Sequence, residues 1–131
     1  MEKSVSVQVV ILNPEGEVLA VSRKNDHNDF GLPGGKVEVY DKSLVMAAVR
    51  EVKEETGLDI FNVELIFAMH RNGHMGYTYI ADYNGDINYN SVKEPHVVKW
   101  TNYSEVIKGS FGTWNNLVLT ALKSKELKVK I

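Results

Sequence analysis

Apolar and polar positions alternate from residue 4 to 12, with Val5, Val7, Val9 and Ile11 in phase, the period-2 signature of a half-buried strand. Asn13-Pro14-Glu15-Gly16 places Pro and Gly where a type I turn favours them. Glu17 to Arg23 is therefore expected to return as the partner strand of a hairpin. Lys24 to Gly35 (KNDHNDFGLPGG) has no periodicity and is Gly/Pro-rich toward its end, so it reads as a surface loop. The period then changes. Ser43 can cap a helix reaching about Thr56, with Leu44, Ala47, Ala48 and Val52 on one face and Gly57 in the usual stop position. Ile60 to His70 and Tyr77 to Tyr83 read as strands around an Asn72-Gly73 turn, His96 to Thr101 as another strand, and Leu117, Val118, Ala121 and Leu122 mark a C-terminal helix. This mixture predicts an α/β or α+β sandwich, a mixed sheet with helices on its faces.

Length and composition narrow the function classes. A chain of 131 residues, 44% hydrophobic and 24% charged, fits one globular domain spanning residues 1–131. A net charge of −2 provides no basic footprint for extended nucleic acid, although a bound cation could still bring in a small nucleotide. Without Cys there is no disulfide framework, thiolate nucleophile or thiolate zinc site. The N-terminal residues do not read as a signal peptide and no window is apolar enough to span a membrane, so a cytoplasmic monomer or homodimer is the expectation.

Chemistry concentrates on the first helix. Glu51 lies at i,i+3 from Glu54 and i,i+4 from Glu55, which puts three mutually repelling carboxylates near one face. Two readings are open: a solvated acidic face with Arg50 paired to Glu54, or a site for a hard cation such as Mg²⁺ or Mn²⁺. Elsewhere, Arg23 and Lys24 could bind phosphate or simply be solvated. Phe30 could stack on a base or plug the core. His27, His70, His74 and His96 lack a two-His metal spacing and read as structural or supporting groups. Trp100 and Trp114 are expected in the core.

Leu32-Pro33-Gly34-Gly35-Lys36-Val37-Glu38 and Arg50-Glu51-Val52-Lys53-Glu54-Glu55-Thr56-Gly57-Leu58 together resemble the Nudix box, Gly-x5-Glu-x7-Arg-Glu-U-x-Glu-Glu-x-Gly-U with U aliphatic. The second half matches at every specified position. The first half departs: Asp41 stands where the family has Glu, and Arg50 follows it by nine residues instead of eight, so Val39 to Ser43 carries one extra residue. In the family that Glu is thought to orient the loop and the Arg, a role Asp41 could take over with a bulge.

The resemblance implies a Nudix fold and a divalent-metal-dependent pyrophosphohydrolase. Glu51, Glu54 and Glu55 would hold Mg²⁺ or Mn²⁺, with the carbonyl of Gly34 or Gly35 as a further ligand and Arg50 orienting the carboxylates. The general base would come from the box, Glu54 included, or from Glu94, which resembles the downstream Glu of oxidised-purine-nucleotide hydrolases and could equally be an ordinary loop acid. Phe111 to Asn115 reproduces the spacing at which those hydrolases place a base-reading Asn, which gives Asn115 two readings, base contact or helix cap. The implied substrate is a small nucleotide, a nucleoside triphosphate, oxidised forms included, ahead of ADP-ribose, a dinucleoside polyphosphate or another nucleoside diphosphate derivative. A non-catalytic nucleotide-binding module is the competing class.

Overall fold

The structure is a computed structural model that describes residues 4–87 and 96–131. Its strands are β1 (Ser4–Val10), β2 (Val18–Arg23), β3 (Asp26–Gly31), β4 (Gly34–Lys36), β5 (Asp59–Arg71), β6 (His74–Asn84) and β7 (Val98–Thr101). Its helices are α1 (Leu44–Thr56), the short α2 (Ser104–Ile107) and α3 (Gly112–Ser124). One sheet runs β4-β1-β6-β5 and a second runs β3-β2-β7. β1 pairs parallel to β6 while the other neighbours are antiparallel. This is a mixed α+β architecture with helices against the sheets, as the alternation of periods predicts.

The expected hairpin at Asn13 to Gly16 forms only at its tip. Leu12 bridges Val18 and the Leu19 N–H donates to the Ile11 carbonyl, after which β1 and β2 diverge into different sheets. Each supplies alternate residues to two cores. Val7, Val9, Leu19 and Val21 pack with Ala47, Ala48 and Val52 of α1, whereas Val10, Val18 and Ala20 pack with Tyr103, Val118 and Leu122. Strands buried on both faces lose the apolar-in, polar-out contrast, and VLAVS in β2 has none.

α1 begins where the sequence places it, with the Ser43 hydroxyl accepting from the Met46 N–H, and stops at Gly57 in the left-handed region, φ 82°. The Asn72-Gly73 turn has φ of 53° and 79°, the two positive values a type I′ hairpin requires. The segment read as one loop, 24–35, is corrected: it carries β3 and the start of β4. Both strands pair through backbone groups that leave no trace in hydrophobic period. Near the C-terminus, the Tyr103 N–H donates to the Lys130 carbonyl and the Lys130 N–H to the Gly16 carbonyl, tying residues 128–130 to the first turn. No helix among the described residues is long and apolar enough to cross a membrane.

Candidate active site

The acidic face of α1 forms one wall of a cleft of about 230 Å³ lined by Glu38, Tyr40, Arg50, Glu51, Glu54, Glu55 and His96. Arg50 organises it. Its Nε and Nη2 each donate at 2.8 Å to the two carboxylate oxygens of Asp41, and Nη2 also reaches the Lys36 carbonyl at 3.1 Å. Nη1 donates to Glu51 at 2.9 Å and to Glu54 at 3.3 Å. The Tyr40 ring covers the guanidinium, 5.2 Å from centroid to Cζ. Asp41 also accepts from the Glu38 N–H at 2.8 Å, closing the loop that carries the extra residue. Hydrogen bonds from Arg50 and then from Glu38 hold the Asp41 carboxyl down at about 2. Burial pushes Glu51 above its ordinary value, opposed by Arg50.

Glu55 points the other way. Its Oε1 accepts the Gly34 N–H at 2.7 Å, and its Oε2 lies 3.9 Å from His96 Nε2. His96 is fixed through Nδ1, 2.7 Å from the Ser22 carbonyl. A carbonyl only accepts, so Nδ1 carries the hydrogen and Nε2 is the atom turned to the cleft. The glycine pair opposite α1 is dictated by space. A Cβ on Gly34 would stand 2.2 Å from the Val7 carbonyl oxygen, and one on Gly35 would stand 2.6 Å from the Glu51 carboxylate. Among the described residues, no three carboxylate or imidazole groups converge on one point; Glu51 and Glu54 turn to Arg50, and Glu55 to Gly34.

Two further cavities, about 150 and 210 Å³, share Ser6, Gln8 and Phe111. The first reaches Gly34 and Gly35; the second is lined also by His74, Gly76, Tyr77 and Trp114. They form an apolar groove on the β1–β6 surface. Gly76 makes it possible, since a Cβ there would fall 2.7 Å from the Trp114 ring.

A family model described as NUDIX domain matches residues 2–121. The chain belongs to the NUDIX family. Solved structures agree on the fold of this NUDIX chain. A MutT structure from work on Aliivibrio salmonicida and Vibrio cholerae superposes with a TM-score of 0.75 at 19% identity, covering 93% of this chain and 98% of that one. A MutT NUDIX hydrolase from Burkholderia pseudomallei gives 0.64 at 26%, covering 77% and 84%. An ADP-ribose pyrophosphatase from Streptococcus suis gives 0.76 at 17%, covering 98% and 96%. The NUDIX chain is thus a Nudix hydrolase.

Of the residues singled out in the sequence, Arg50, Glu51, Glu54, Glu55 and Gly34 are brought together. Arg23 is exposed at the end of β2, its Nη1 3.5 Å from Ser110 Oγ. Of the two readings open for Phe30, the structure favours the core plug: it is 5% exposed and packs with Val10, Tyr103 and Leu122, and Lys99 Nζ lies 4.2 Å over its ring. For Asn115 the cap reading is corrected: it is fully buried within α3, whose N-cap is Phe111, and its Nδ2 donates to the Val106 carbonyl at 2.9 Å. Trp114 is only partly buried and borders the groove as well as the core. Glu94 lies outside the described residues. Glu38, quoted with the Gly-rich half of the box, also lines the cleft, and Tyr40 and His96 join it without a sequence signal that marks them, because tertiary packing delivers them.

Proposed function

We propose that this Nudix hydrolase is a divalent-metal-dependent pyrophosphohydrolase that cleaves a nucleoside diphosphate-linked substrate, foremost a nucleoside triphosphate, oxidised forms included, to the monophosphate and pyrophosphate. The observation that carries this reading is the arrangement of Glu51, Glu54 and Glu55 along one wall of an open cleft, with Gly34 and Gly35, which touch Glu55 and Glu51, lining the near end of an apolar groove. Phosphates and an organic group thereby have separate, neighbouring places.

The donor chemistry fits a hard cation: carboxylate oxygens, no sulfur, and at Gly35 a space that a Cβ would take from Glu51. Mg²⁺, or Mn²⁺ in its place, would be held by Glu51, Glu54, Glu55 and the Gly34 carbonyl, and would neutralise phosphoryl oxygens and lower the pKa of a water. The rest is the work of the chain. Arg50 offsets repulsion among the acids and fixes their rotamers through Asp41. Glu54, the most exposed of the three, or Glu94 takes the proton from the attacking water. Arg23 is retained as a phosphate contact. We also propose that residues 1–131 act as one domain, as a monomer or homodimer.

The test is incubation of the purified protein with nucleoside triphosphates, ADP-ribose and dinucleoside polyphosphates, with Mg²⁺, Mn²⁺ or chelator, and identification of products by mass. Release of pyrophosphate and monophosphate, abolished by chelator, is expected. No turnover of any member would move the chain to the class of nucleotide-binding modules.

A further inference from the structure

The apolar groove holds an amide that nothing so far uses. Gln8 lies on β1 at the junction of the two cavities, opposite Thr78 of β6. Its Nε2 donates to Thr78 Oγ1 at 2.9 Å and to Asn115 Oδ1 at 3.5 Å. The direction of this amide follows from its partners. The Val106 carbonyl can only accept, so buried Asn115 must turn Nδ2 toward it and Oδ1 toward Gln8. An Oδ1 can only accept, so Gln8 must meet it with Nε2. The Gln8 Oε1 is left facing outward and accepts no hydrogen bond from the described residues.

The surroundings specify what that oxygen can meet. The groove walls include the rings of Phe111, Trp114 and Tyr77, flat faces suited to a planar ring, of which Tyr77 also carries a hydroxyl. Trp114 spends its only donor on Thr78 Oγ1 at 3.0 Å. His74, also on the wall, has Nδ1 2.6 Å from Ser4 Oγ and Nε2 2.8 Å from Ser6 Oγ, so both ring nitrogens are engaged within the protein. The Tyr77 hydroxyl can rotate to donate or accept, whereas the Gln8 Oε1 is an outward acceptor whose orientation a buried relay fixes, the feature able to select one edge of a ring. We propose that Gln8 is the specificity residue of the groove and that its Oε1 accepts a hydrogen bond from the exocyclic amino group of a nucleobase, with Asn115 as the positioning residue behind it. This rests on the nucleotide reading above and names the substrate class within it, bases carrying an amino group. It also reassigns base selection from Asn115 to the residue Asn115 holds.

The experiment compares matched pairs differing by one amino group: adenosine against purine riboside, and guanosine against inosine. Each is used as the 5′-triphosphate for kcat/KM and as the 5′-monophosphate for binding, read by Trp114 fluorescence in a Trp100→Phe background. In the unaltered sequence, the amino-bearing member of at least one pair should be preferred by roughly tenfold in both readouts, the worth of one well-placed hydrogen bond. Gln8→Met, which keeps length and removes the Oε1 acceptor together with the Nε2 donor to Thr78 and Asn115, should erase that preference in a protein that still folds, at a somewhat lower Tm. Equal handling within both pairs, which needs no variant to observe, overturns the proposal, as does a preference that survives in Gln8→Met. Amino-dependent binding without any turnover would support Gln8 while sinking the hydrolase reading. Turnover indifferent to the amino group would do the reverse.

Discussion

Asp41 grips Arg50 through both carboxylate oxygens, at 2.8 Å each, although the loop between Gly35 and Arg50 is one residue longer than the Nudix box specifies. The pairing accounts for the departure. A shorter acid on a longer loop reaches the same guanidinium, and the Glu38 N–H bonded to Asp41 takes up the slack as a turn. Removing the grip by Asp41→Ala should lower kcat by about 10- to 100-fold, the usual cost of a partner that orients ligating groups. Asp41→Glu should recover part of it. Unchanged kcat in Asp41→Ala would detach Arg50 orientation from catalysis.

The same pair sets a pH dependence. Asp41 is held at about 2 in the folded protein against roughly 3.9 in an unfolded chain. A depressed acid contributes stability above its unfolded value, and that contribution is lost as pH falls toward the folded one. The urea-midpoint gap between the unaltered protein and Asp41→Asn should therefore be constant above about pH 5 and shrink between about pH 4 and 2. A gap that widens on acidification would contradict the assignment.

Glu54→Gln removes one charge from a partly exposed side chain and leaves the core untouched. Turnover should fall by at least about a hundredfold at nearly constant Tm. Near-normal turnover in the folded variant would refute the metal-site reading.

The two glycines facing α1 should respond differently to a single methyl. In Gly35→Ala the new Cβ meets the far end of the Glu51 side chain, which can swing away, so Tm should hold while Mn²⁺ affinity, measured by calorimetry, drops by about 10-fold or more. In Gly34→Ala the Cβ meets the Val7 backbone oxygen and Gln8 Cα, which cannot, so the protein should lose several °C of Tm. Equal Tm losses would show that the two positions share one structural role.

Asn115→Ala leaves the Val106 carbonyl without its buried donor and Gln8 Nε2 without one acceptor. A loss of about 2 to 3 kcal/mol is expected from urea unfolding at constant m-value, more than the ~1 kcal/mol of a missing cap. A loss below 1 kcal/mol would mean that water satisfies the site.

The parts of this molecule legible in its sequence are those whose causes are local. α1 is written in Ser43, the apolar face of Ala47, Ala48 and Val52, and Gly57; the β5–β6 hairpin is written in Asn72-Gly73. The acid cluster was visible for the same reason, since i,i+3 and i,i+4 neighbours share a face in any helix. What escaped depends on partners far along the chain. β3 pairs through backbone, with no apolar alternation. Which of two open readings holds for Phe30, and how Asn115 is buried, depends on residues far away in sequence. His96 and Tyr40 reach the cleft only when β7 and the loop fold against α1.

The pairing pattern also bears on how the chain is made. Val7 lies opposite Tyr77, Val18 opposite Thr101, and Gly16 bonds Lys130. During synthesis β1 and β2 find partners for one edge early, in β4 and β3, while the other edge of each stays unmatched until most of the later sequence has left the ribosome. Contacts of such separation fold slowly and leave strand edges open to other chains. Cells producing this protein at high level should accumulate aggregates from nascent chains more readily than from the finished fold.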